Sequence, residues 1–124
     1  MSWSKLAQDR LSEGQDVTVR PSGHSMTGVI NHRDEVVLAP IEPDRICIGD
    51  AVLVRVAGQV FLHLVKAIDT PKRRAQIGNN RGGVNGWASL DKVYGVAVCI
   101  AGTPTQAASR ATAPSTDAHP DRDA

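Results

Sequence analysis

The stretch DAVLVRVAGQVFLHLVKAI, Asp50 to Ile68, decides the fold class. Two β-rich runs flank the turn Ala57-Gly58-Gln59. In the first run Ala51, Leu53 and Arg55 fall on one side and Val52, Val54 and Val56 on the other, because successive side chains of a strand point to opposite faces. A glycine at the turn between two such runs predicts an antiparallel hairpin. Outward from it, DVTVR (16–20) alternates, and EVVLAPI (35–41) is a short apolar run behind the polar turn NHRD. AQIG (75–78) predicts a brief strand, NNRGGVNG (79–86) a loop, and KVYGVAVCI (92–100) a closing strand. Residues from Ser4 to Glu13 predict a short helix, with Trp3, Leu6, Ala7 and Leu11 sharing a face and Gly14 as its stop. Many short strands, little helix and frequent Gly/Pro turns give a mainly β fold, a small roll or barrel.

The chain has 124 residues, enough for one core. Aromatic residues make up only 3 %, so that core is built from Val, Ile, Leu and Ala. With 14 basic and 13 acidic side chains the field is too weak to make nucleic acid or an anionic membrane a main partner. No apolar run has the length of a signal peptide or of a membrane span, which sets the expectation of a soluble cytoplasmic protein. Cys47 and Cys99 sit in apolar runs without metal-ligand spacing. They read as buried reduced thiols, with a Cys47–Cys99 disulfide as the alternative. The expected organisation is a helical segment over 1–15, a β domain over 16–102 and a disordered tail over 103–124, whose Ala, Thr, Ser, Pro and Asp bury too little to offset ordering.

Three stretches carry chemistry. In SGHSMTG (22–28) glycines at Gly23 and Gly28 let the backbone bend around Ser25. A serine there is a nucleophile only if a base lies within reach and amides face the developing oxyanion; otherwise it is a turn residue. His24 is a poor base for its neighbour, since adjacent side chains diverge, and it is better placed to line a cleft. In VFLHLVKAI (60–68) strand parity puts His63 on the face of Phe61 and Val65, and Lys66 on that of Leu62 and Leu64. One of the two faces Ser25. In IGNNRGGVNGW (77–87) glycine and asparagine allow tight turns, with a backbone nest for an anion beside Arg81 as the lesser reading. No GK[ST] follows, so it is not a Walker loop.

Taken in order, GHSM, NHRDEVVL, IGDAVLVRV, FLHLVKAI, IGNNRGG and VYGVAV resemble the superfamily that joins LexA-like self-cleaving repressors to the signal peptidases. The likeness runs from Val17 to Val98 and implies a mainly β catalytic fold of that type. It implies Ser25 as nucleophile, directly before Met26. It implies His63 as base, since FLHLVKAI lines up with the His-Arg-Val form of endoplasmic-reticulum-type enzymes, here His63-Leu64-Val65, with Lys66, the residue type used by bacterial members, the lesser alternative. The oxyanion site and cleft would involve Gly23, His24, Ser25 and Met26. The chain departs from the pattern where Gly-Asp-Asn is Gly78-Asn79-Asn80 and where the first Gly-Asp is Arg33-Asp34. The residue that orients the histidine is then Asn79, Asn85 or Asp91. No metal or cofactor is implied.

The resemblance implies Ser–His cleavage of a peptide bond, in self-cleavage or in processing of a cytoplasmic partner. About sixteen residues precede the first strand, too few for the helix-turn-helix of a repressor, and no membrane anchor accompanies them. Ala57-Gly58 and Ala101-Gly102 are the Ala-Gly pairs open to self-cleavage, the second the better placed. The competing expectation is a catalytically inactive peptide- or protein-binding module of the same fold. It would pair with a separately encoded regulator or with a second copy of itself. EVVL and the strand entering SGHSM are the expected walls of a peptide groove.

Overall fold

The computed structural model describes residues 3–111. Helix α1 (Trp3–Ser12) precedes eight strands: β1 (Val17–Val19), β2 (Val36–Ala39), β3 (Ala51–Val56), β4 (Gln59–Asp69), β5 (Arg74–Gly78), β6 (Val84–Ser89), β7 (Val93–Ile100) and β8 (Thr103–Pro104). All pair antiparallel in one sheet of order β1-β2-β7-β3-β4-β5-β6, with β8 added to the end of β7. The fold is therefore mainly β with one short helix. The sheet is open: β1 and β6 are its unjoined ends, where a roll or barrel was expected.

The alternation of β3 explains its central place. Ala51 and Leu53 enter a core shared with Leu62, Leu64, Leu38 and the helix residues Ala7 and Leu11. Val52, Val54 and Val56 enter a second core with Val65, Ala75, Ile77 and Val96. A strand apolar on both faces needs cover on both, and β3 finds paired neighbours on each edge as well. α1 covers the first core and stops at Gly14, whose φ of 81° ends the helix while its N–H donates to the Leu11 carbonyl. Gly95 of β7 admits this packing. A Cβ there would lie 2.7 Å from the Ala39 carbonyl oxygen and 2.9 Å from a Leu11 methyl. Gly95→Ala is expected to destabilise the protein by about 1–3 kcal/mol through overpacking. A urea midpoint equal to that of the native sequence would exclude this account.

Both Ala-Gly pairs form two-residue hairpin tips. Ala57 and Gly58 have φ of 50° and 85°, and Ala101 and Gly102 have 49° and 85°. Positive φ at both positions matches the primed turn that suits twisted hairpins.

Two expectations are corrected. Residues 103–111 are not a disordered tail: they pair as β8 and then turn back over the sheet. Ala107 is buried, and Arg110 binds Asp50 through both oxygens at 2.7 and 3.0 Å. The rest of that predicted tail, 112–124, lies outside the described residues. Nor are the cysteines buried. Cys47 is exposed, Cys99 half-buried, and both are free thiols; the run Arg45–Asp50 is a turn that buries Ile46 and leaves Cys47 and Ile48 outside. No helix among the described residues is long and apolar enough to cross a membrane.

Candidate active site

The chain leaves β1 and makes its sharpest bends at Gly23 and Gly28, with φ of 112° and 101°. Met26 and Ile30 are buried and anchor this turn in the first core. The residue beside a buried side chain is turned outward, and Ser25 is exposed. The Met26 carbonyl accepts from the N–H groups of Val29 and Ile30. Among the described residues nothing accepts from the N–H of Ser25 or Met26; Ser25 is exposed, whereas Met26 is buried.

His63 comes from β4. It is buried, 7 % exposed, and stacks on Phe61 with centroids 5.0 Å apart. Its Nε2 lies 3.1 Å from Ser25 Oγ, and its Nδ1 lies 2.6 Å from Asn85 Oδ1. With the amide oxygen facing it, Nδ1 carries the proton and donates. Nε2 is then the basic nitrogen and accepts from the serine hydroxyl.

Asn85 reaches His63 because β6 is bulged. Ile77 pairs with Gly86 and Gly78 with Val84, so Asn85 is the extra residue between two partners on β5. Such an insertion shifts the pairing by one residue and re-aims the bulged side chain. β5 also ends at Gly78, opposite Leu64, one residue short of His63. An asparagine holds the tautomer but carries no charge to stabilise the imidazolium. Asn85→Asp is accordingly expected to accelerate acylation of Ser25 by on the order of tenfold, about 1.4 kcal/mol of added stabilisation. An unchanged or slower rate of covalent labelling would exclude Asn85 as the orienting group.

The structure brings Ser25, His63 and Asn85 together and sends the other expected residues elsewhere. Asn79 Oδ1 accepts from the N–H groups of Arg81 and Gly83 and shapes its own loop. Asp91 pairs with Arg73, whose guanidinium is held above its ordinary value by Asp44 and Asp91. Neither orients His63. Lys66 is itself the bulged residue of β4, between the pairs Val65–Ile77 and Ala67–Gln76. Its stem lies over Gly78, with no hydrogen bond to Ser25. His24 is exposed and stacks on His32 at 5.4 Å. The anion nest is also corrected: the amides of Asn79, Asn80, Arg81 and Gly83 are taken by protein acceptors. Asn80, expected only as part of the Gly78-Asn79-Asn80 loop, contacts the serine turn directly. Its N–H donates to the Ser25 carbonyl at 3.0 Å and its Nδ2 to the Thr27 carbonyl at 2.8 Å. The Gly/Asn loop thus clamps the serine turn, and the only sequence signal was its proximity in order to the base strand.

A cleft of about 180 Å³ opens beside the pair. Ser25, His63 and Gly23 give its polar side, and Trp3, Met26, Ile30, Val60 and Leu62 its apolar side. Among the described residues no group of three or more His, Cys, Asp or Glu side chains could hold a metal ion. Comparison of the chain with protein-family models, with curated proteins and with solved structures found no match. The functional reading therefore rests on this geometry.

Proposed function

We propose that the chain is a serine peptidase-like hydrolase of the LexA/signal-peptidase type that uses a Ser25–His63–Asn85 relay on a peptide substrate. The observation that carries this reading is the hydroxyl–imidazole–amide chain of 3.1 and 2.6 Å at the mouth of a cleft. His63 Nε2 takes the proton as Ser25 Oγ adds to the carbonyl carbon. The Ser25 amide, to which no described protein group is bonded, receives the oxyanion. The protonated Nε2 then returns its proton to the leaving amine, and an acyl-serine remains. Water, deprotonated by the same nitrogen, adds to the ester and releases the acid.

Substrate placement follows from the hairpin register. The tip closes on the pair Val56–Gln59, so hydrogen-bonded pairs alternate along it. Val60 and Leu62 then point their N–H and C=O groups away from β3, and β5 joins only from Leu64. That open edge borders the cleft and suits an extended peptide bound through main-chain hydrogen bonds. EVVL is not such a wall, because β2 is paired on both edges, with β1 and with β7. The two Ala-Gly pairs are held in hairpin tips and not in the extended form that an edge accepts. We therefore favour a separate polypeptide as substrate.

The test is a fluorophosphonate probe, in which Ser25 Oγ displaces fluoride and forms a phosphonyl ester read by intact mass. A mass shift confined to Ser25 supports the hydrolase. A folded protein that takes no label from mildly acidic to alkaline pH leaves the peptide-binding module as the reading of this cleft.

A further inference from the structure

Resting on the hydrolase reading, we infer that His32 is a positioning residue for the nucleophile. The loop 31–33 holds the serine turn at three points. Arg33 N–H donates to the Pro21 carbonyl, a main-chain bond that no side chain alters. Asn31 Oδ1 accepts from Gly28 N–H at 3.0 Å, three residues beyond Ser25. His32 Nδ1 accepts from Gly23 N–H at 3.0 Å, two residues before it.

The third point matters most because of what Gly23 lacks. Its φ is 112°, and no atom lies within 4 Å of where its Cβ would stand. A glycine in open space has no steric reason to keep one conformation. The imidazole of His32 supplies the constraint, and its ring is itself steadied by the stack on His24, 5.4 Å between centroids at 27°. Rotation about Gly23 would swing the next peptides, which carry the open amide of Ser25 and its Oγ. His32 touches neither the hydroxyl nor the substrate and acts through the backbone.

The experiment compares His32→Ala and His32→Asn by the rate of fluorophosphonate labelling and by urea midpoint. The carboxamide oxygen of asparagine takes the place of Nδ1 as acceptor. His32→Ala is expected to label on the order of 100-fold more slowly, the scale of a small misplacement at a reacting centre. His32→Asn is expected to recover to within about tenfold of the native rate, and both should keep the native urea midpoint because residue 32 is exposed. Labelling of His32→Ala at the native rate would overturn the role, and so would a His32→Asn protein as slow as His32→Ala. A native protein that takes no label at all overturns the hydrolase reading, and this role with it.

Discussion

Replacing His63 by alanine is expected to slow phosphonylation of Ser25 by roughly 10⁴-fold or more. Among the described residues no other base bonds the hydroxyl, which lies 3.1 Å from His63: Lys66 makes no bond to it, and His24 is turned to His32. Ser25→Ala is expected to abolish labelling, and the double variant to be no slower than Ser25→Ala, because the two groups act as one unit. His63 is buried, so loss of its ring could also weaken the core. His63→Gln separates the effects: it refills most of the volume and can accept a hydrogen bond but is not a base. Native-like folding with labelling as slow as in His63→Ala fits proton transfer. Rapid labelling of either variant would remove His63 from the mechanism.

The largest expected effect on stability comes from Arg110→Ala. The Asp50 side chain is 0 % exposed and accepts from both terminal nitrogens of Arg110, from Gln106 Nε2 at 2.8 Å and from the Cys47 N–H at 2.8 Å. Removing the arginine leaves a buried carboxylate without its countercharge, which costs about 3–5 kcal/mol. That is a large share of the roughly 5–15 kcal/mol that holds a domain together. Asp50→Asn in the Arg110→Ala background should recover part of the loss, since it removes the stranded charge. The carboxylate pushes the Arg110 guanidinium above its ordinary value, against the lowering by burial. A raised folded-state value stabilises below the titration of the unfolded arginine and is lost only as pH climbs through the folded one. The deficit of Arg110→Ala should therefore persist from neutral to moderately alkaline pH. A urea midpoint within 1 kcal/mol of native, taken at a typical slope, would show the pair to be dispensable.

The misreading of 103–111 and the success with β3 have one explanation. The hairpin was legible because its information is local: alternation in Ala51–Val56 and a glycine at the tip. Arg110 and Asp50 are 60 residues apart, and nothing near Arg110 announces a buried partner. A composition rich in small polar residues describes the segment correctly and misses the Arg110–Asp50 pair that docks it together with the β8 pairing and buried Ala107. The site divides in the same way. Ser25 and His63 were singled out by motif order. Asn79, Asn85 and Asp91 could not be ranked, because one inserted residue in β6 decides which side chain turns toward the imidazole. The exposure of Cys47 belongs with these misses, since an apolar neighbour on each side says nothing about a turn.

The place of β7 has a consequence for biosynthesis. Among the described strands only β8 follows it, yet it lies between β2 and β3. The turn bearing Ser25 precedes β2, whereas His63 and Asn85 belong to the β3–β6 block, and within the sheet β7 is what joins the two. Residues 3–90 contain Ser25, His63 and Asn85 but not the strand that joins their two blocks within the sheet, a late long-range pairing of the kind that delays folding. A chain made only as far as β6 can form the Asn80 contacts to the serine turn but lacks the strand that seats β2 beside β3, so the sheet is completed only when β7 is inserted.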